Sequence, residues 1–215
     1  MSIEIVMMTL GMVQTNAYLV GDTETKNALL IDPVDDADTI LSAAEKRGWT
    51  IKLILATHAH FDHVLASKAL KEATDAPFVA HKDTLTWLEV LPKQGMRFGM
   101  GEFPEAAKPD RLLGDDDEMI ELDGIHLKSL YTPGHAPGHV AFYAESISVV
   151  FSGDALFKGS IGRVDLPGGS MEVLMESIFN KLVPLGDEVR VLSGHGDPTT
   201  IGIERKTNPY LLSNA

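Results

Sequence analysis

Short apolar runs bounded by turns dominate the first third of the chain. Ile3–Met8, Ala17–Val20 and Asn27–Ile31 are separated by glycine-containing or charged breaks (Gly21-Asp22, then Thr23 to Lys26), which predicts three strands. Asp36–Arg47 changes to helical spacing, with Ile40, Leu41 and Ala44 on its apolar side. Ile51–Thr57 reads as a buried strand, and Asp62–Ala73 as a helix halted before Pro77. Strands resume at His126–Tyr131, His139–Tyr143 and Ser148–Phe151. After Ser170, a good N-cap residue, Met171, Leu174, Met175, Ile178 and Leu182 recur at helical spacing and predict a helix with a core stripe. A last strand, Val189–Leu192, precedes Ser193-Gly194-His195. A strand-rich start followed by alternating strands and helices predicts an α/β layered fold. Leu91–Leu112 stands apart. It is rich in Gly, Pro and Met, and Met96, Phe98, Met100 and Phe103 follow no period. It reads as a long loop whose apolar residues suit a cover over a site or a subunit contact.

Composition narrows the possibilities. With 215 residues, 44% of them apolar, residues 1–215 suffice for one packed domain. The net charge of −13 argues against a nucleic-acid partner, which needs a basic face. It also means that an anionic substrate would need a local cluster of positive charge. The absence of cysteine excludes disulfides, thiolate metal sites and a cysteine nucleophile. No run of 18 apolar residues predicts a membrane helix, and the N-terminus lacks the basic start and long apolar run of an export signal. The expectation is a cytoplasmic protein with no membrane partner; nothing in the sequence sets its oligomeric state.

The chemistry concentrates in Thr57-His58-Ala59-His60-Phe61-Asp62-His63. At this chain's composition an H-x-H-x-D-H pattern would arise by chance in about one chain in a thousand. It follows a predicted strand and opens a predicted helix, the edge at which α/β proteins build sites. Four nitrogen and oxygen donors in six residues would crowd one tetrahedral ion, and the spacing suits two ions side by side. Further donors stand in matching contexts, each after a strand and a glycine: His135 in Thr132-Pro133-Gly134-His135, Asp154 in Phe151-Ser152-Gly153-Asp154, and His195 in Leu192-Ser193-Gly194-His195. An aspartate can bridge two cations, one carboxylate oxygen to each. His139 reads as a hydrogen-bonding residue near the ligands, and His81 and His126 as surface or packing residues.

H-x-H-x-D-H, TPGH, SGD and SGHG together resemble the metallo-β-lactamase superfamily. The resemblance implies a four-layer αβ/βα sandwich with two mixed β-sheets flanked by helices. It implies that His58, His60 and His135 hold one metal ion, that Asp62, His63 and His195 hold a second, and that Asp154 bridges them. The segment from Gly153 to Gly169 and the tail Thr200–Leu211 resemble the glyoxalase II group, hydroxyacylglutathione hydrolases of the compact bacterial type. That likeness places Arg163 where the group carries a basic residue for the glutathione carboxylate, with Lys158 as a second substrate contact. The extra helical domain of larger members and their tyrosine after the last histidine are not matched; here Gly196-Asp197-Pro198 follows His195.

The expected chemistry is hydrolysis of an S-acylglutathione thioester, S-lactoylglutathione to glutathione and lactate, by a hydroxide bridging two divalent ions. Zinc fits the all-N/O donor set, as do iron and manganese. Two such ions, two carboxylates and a hydroxide leave a positive centre in an acidic protein. Asp62 and Asp154 are the catalytic candidates, Asp62 as a ligand that also orients the hydroxide. A thiolate leaves without a strong acid, and the motifs contain no obvious spare acid, which favours a thioester. The alternatives are a persulfide dioxygenase with mononuclear iron, or another metallo-hydrolase such as a lactonase.

Overall fold

The computed structural model describes residues 2–97 and 99–214; Phe98, one of the apolar residues of the expected long loop, lies outside them. The chain forms two compact units, residues 1–113 with 121–125, and residues 114–120 with 126–215.

In the first unit, β1 (Ile3–Leu10), β2 (Thr15–Asp22) and β3 (Asn27–Ile31) form an antiparallel meander. Helix α1 (Ala37–Glu45) carries the chain to β4 (Thr50–Leu55), which lies parallel to β3. Its N-cap, Asp36, accepts a hydrogen bond from the Thr39 N–H. After α2 (Phe61–Val64) and α3 (Ser67–Thr74) come β5 (Phe78–His81), α4 (Leu85–Glu89), α5 (Leu91–Arg97) and β6 (Arg111–Leu113). The six strands run in the order β1-β2-β3-β4-β5-β6, a mixed sheet. Leu19, Leu30, Ile40, Ile54, Leu70 and Phe78 are fully buried in its core. Each such side chain contributes about 1.5–3 kcal/mol on leaving water.

Two expectations are corrected here. The helix expected over Asp62–Ala73 breaks in two, because the Ala66 N–H bonds outward to the Pro33 carbonyl at 3.0 Å. The long loop is instead helix α5, an irregular stretch and strand β6. Pro92 sits in the first turn of α5, where no backbone N–H is needed. Leu91 is fully buried, Phe103 stacks on Phe61 at 5.0 Å between centroids, and the Ala107 N–H donates to Ser67 Oγ.

The second sheet runs β14-β13-β10-β9-β8-β7: β7 (Met119–Leu122), β8 (Ile125–Tyr131), β9 (Val140–Ala144), β10 (Val149–Gly153), β13 (Arg190–Ser193) and β14 (Thr199–Thr200). β8, β9 and β10 are successively antiparallel, and β13 is parallel to β10, so β8, β10 and β13 point the same way. A small hairpin, β11 (Leu156–Phe157) and β12 (Ser160–Ile161), follows β10. Helix α6 (Met171–Ser177) is capped by Ser170 and widens into a π turn over Ile178–Leu182. Leu174, Met175, Ile178 and Leu182 are buried as the stripe predicts, whereas Met171, in the first turn, is 41% exposed. The chain closes with α7 (Ile201–Thr207) and α8 (Pro209–Ser213), two short helices with no clear apolar period.

Helix α6 fastens the loop after β8. The Ser170 N–H donates to the Gly134 carbonyl at 2.8 Å, and Ser177 Oγ donates to the Pro133 carbonyl at 2.7 Å. Gly134 has φ 124°, and a Cβ there would run into the Leu174 backbone. Gly134→Ala is therefore expected to lower stability by about 2 kcal/mol or more in urea unfolding. A variant as stable as the wild type would show that α6 can back away from this loop.

Candidate metal centre

The first unit builds its donors at the ends of two adjacent parallel strands. β3 ends at Ile31, opposite Leu55 at the end of β4, so Asp32 emerges beside the segment that starts the histidine motif. The Asp32 N–H bonds to the Leu55 carbonyl at 2.8 Å. Asp32 is 1% exposed and sits at φ 57°, a left-handed conformation that a non-glycine residue adopts at a cost. Its carboxylate accepts three hydrogen bonds: from the Thr57 N–H at 2.7 Å, from Thr57 Oγ1 at 2.9 Å and from His63 Nδ1 at 2.8 Å. This residue escaped the sequence reading. The only signal was an aspartate directly after a buried strand, which is common in turns.

These bonds decide which imidazole nitrogen is available. With Nδ1–H donated to Asp32, His63 presents Nε2, which lies 3.4 Å from Asp62 Oδ2. Thr57 Oγ1 donates its one proton to Asp32, so it accepts from His58 Nδ1 at 3.0 Å, and His58 presents Nε2. That nitrogen lies 3.1 Å from His60 Nδ1. The contact is either a ring-to-ring hydrogen bond or, with His60 protonated on Nε2, two lone pairs converging on one point. Two ligands bound tetrahedrally at 2.0–2.1 Å stand about 3.3 Å apart, close to both separations. Asp62 is held as well: the buried Thr15 hydroxyl donates to its Oδ2 at 2.7 Å. His58 and His63 are fully buried, and His60 is 8% exposed.

In the second unit the donors leave strands that run in one direction: His135 after β8, Asp154 directly after β10 and His195 after β13. The Gly194 N–H bonds to the Gly153 carbonyl at 2.8 Å, which keeps the last two strand ends together. His135 donates Nδ1–H to the Arg163 carbonyl at 2.8 Å and presents Nε2 to Asp154 Oδ2 at 3.6 Å. His195 Nε2 lies 3.5 Å from the same oxygen. Asp154 Oδ2 therefore lies within 3.6 Å of both imidazoles. His139 accepts the Asp154 backbone N–H on Nε2 at 3.0 Å and so donates Nδ1–H to Thr132 Oγ1 at 2.9 Å. It orients Asp154 by hydrogen bonding, as expected. Nitrogen and carboxylate donors with their remote sides already engaged fit divalent ions such as zinc, iron or manganese.

The two cations expected to meet substrate are both paired. Arg163 makes a two-pronged bond to Asp165, 2.7 Å to each oxygen, and the hydrogen bonds push the Asp165 carboxyl down to about 2. Lys158 Nζ lies 3.0 Å from Asp197 Oδ2. Among the described residues, no helix is long and apolar enough to cross a membrane.

A family model for the metallo-beta-lactamase superfamily matches residues 10–195. The chain belongs to that superfamily. It is 40% identical to the hydroxyacylglutathione hydrolase GloC of Haemophilus influenzae across the whole of both chains. It superposes on the crystal structure of the BLEG-1 B3 metallo-beta-lactamase with a TM-score of 0.91 at 38% identity, covering 97% of this chain and 99% of that one. It also superposes on TTHA1623 in a di-iron-bound form with a TM-score of 0.85 at 41% identity, covering 96% of this chain and 100% of that one. The α/β class and the two mixed sheets flanked by helices agree with these neighbours.

Asp32→Ala would leave three buried donors, the Thr57 N–H, the Thr57 hydroxyl and His63 Nδ1–H, without their acceptor. Each costs about 1–3 kcal/mol. The variant is expected to unfold at lower urea and to lose metal to a chelator at about 10- to 100-fold lower chelator concentration. Metal retention equal to the wild type would show that His63 does not depend on Asp32.

Proposed function

We propose that the chain is a metal-dependent thioester hydrolase acting on S-acylglutathiones, with S-lactoylglutathione as the representative substrate. The observation that carries this reading is identity of 40%, end to end, with a hydroxyacylglutathione hydrolase, in a chain whose histidine and aspartate donors stand ready on strand ends. In this proposal His58, His60 and His135 hold one divalent ion, Asp62, His63 and His195 hold another, and Asp154 serves both. Ions bound there supply an acidified water and a positive charge for the developing oxyanion.

The chain's own residues do the rest. Asp62, steadied by Thr15, orients the attacking water towards the acyl carbon. The water gives up one proton to solvent as the new C–O bond forms, the C–S bond breaks, and sulfur departs as a thiolate; a thiol with a pKa of about 8.5 needs little help from an acid. Arg163 takes the carboxylate of the thiol portion by exchanging it for Asp165, its present partner. Lys158 adds a second positive charge on the adjoining turn.

Two outcomes test this. The wild type is expected to hydrolyse S-lactoylglutathione, with metal measured on the same sample, and Asp154→Ala is expected to lose both metal and turnover. Full activity in that variant would remove Asp154 from its role. β-Lactam hydrolysis is the second reading, favoured by the likeness to BLEG-1, so a β-lactam belongs in the same panel. Oxygen uptake with glutathione persulfide would instead identify a dioxygenase.

The Arg163 pair yields a separate expectation. Because Asp165 stays ionised down to about pH 2, the pair is intact at any ordinary assay pH. Asp165→Asn should lower KM for an anionic thioester several-fold and leave KM for an uncharged thioester unchanged, while Arg163→Met should raise only the former. Equal KM values for both substrates in both variants would exclude Arg163 from substrate binding.

A further inference from the structure

We propose that Glu204 is a positioning residue for the metal donors of the second unit, acting through the β11–β12 hairpin. Glu204 lies on α7, far along the chain from every donor but His195, and is 1% exposed. A buried carboxylate is costly unless fully hydrogen-bonded. Here Oε1 accepts the Thr199 hydroxyl at 2.6 Å, and Oε2 accepts both the Gly159 N–H at 2.7 Å and Asn208 Nδ2 at 2.9 Å. Asn208, itself fully buried, also donates Nδ2 to the Ser160 carbonyl at 2.9 Å. Gly159 and Ser160 lie at the turn of the hairpin. One carboxylate and one amide therefore clamp that turn to the C-terminal helices.

The hairpin reaches all three donors of this unit. It starts immediately after Asp154, with the Ala155 N–H bonded to the Ser152 carbonyl. It ends at Gly162, where a Cβ would collide with the Asp154 carbonyl and press on His135 Nδ1. The next residue, Arg163, supplies the carbonyl that fixes His135. Phe157 meets His195 edge-on, 6.1 Å between ring centroids. A hairpin released at its turn would loosen both the chain that begins at Asp154 and the carbonyl behind His135. Bonds to an ionised acceptor are roughly twice as strong as neutral ones, which suits a carboxylate at this point.

The inference rests on reading His135, Asp154 and His195 as metal ligands, and the test separates the two. Full-length, metal-free wild type and the variants E204A, E204Q and N208S are titrated with zinc against a chelating dye, and their unfolding is followed without metal. E204A is expected to bind zinc at least tenfold more weakly. E204Q can still accept from Gly159 and Asn208 while its amide donates to Thr199, so it should recover most of that loss. N208S keeps the α8 cap but loses both clamp donations; it should fall between wild type and E204A, and it decides the matter where E204A does not fold. Variants that are less stable without metal yet bind zinc within twofold of wild type would overturn the inference, leaving Glu204 a purely structural residue. A wild type that takes up no zinc would sink the metal reading and this inference with it.

Discussion

Among the proposed metal ligands, His58, His63 and His135 have Nδ1 committed before any ion arrives. Thr57, Asp32 and the Arg163 carbonyl hold them, and each ring is thereby left with Nε2 as its donor. A neutral imidazole has one donor and one acceptor nitrogen, so fixing the first fixes the second. The rest of the site follows from this constraint. Metal affinity depends on ring orientation, orientation depends on buried hydrogen bonds, and those bonds survive because they are shielded from water. His60 is the exception, turning Nδ1 towards its neighbour.

The sheets supply the positions. Parallel β3 and β4 deliver Asp32 and the histidine motif side by side, and the common direction of β8, β10 and β13 brings His135, Asp154 and His195 to one edge of their sheet. Loops at such edges are free to carry polar groups because the strands beneath are packed with apolar residues. The structure spends its close contacts there: Gly134 against α6, Gly162 against Asp154 and the clamped hairpin turn all secure short segments beside a donor.

The strands near the donors were legible because each is a short apolar run ended by a turn residue. The five histidines and two aspartates proposed as metal ligands stand out in the sequence because histidine is rare and because their contexts after a strand repeat. What stayed hidden was set by distant contacts. The break between α2 and α3 depends on a bond from Ala66 to Pro33, and helix α5 was masked by Pro92 and Gly95. Strands β5 and β6 are too short for alternation to show. Asp32 and Glu204 look like ordinary surface acids until the fold buries them and surrounds them with donors. Arg163 was visible as a cation, but Asp165, which neutralises it, was not recognised as its partner.

The most direct test is a crystal structure of the metal-loaded protein recorded with anomalous scattering at the metal edge. Two anomalous peaks are expected, with bonds of about 2.0–2.2 Å from Nε2 of His58, His63, His135 and His195, from Nδ1 of His60, and from Oδ2 of Asp154. Metal bound at Nδ1 of His63 or His135, or no peak beside these residues, would contradict this expectation.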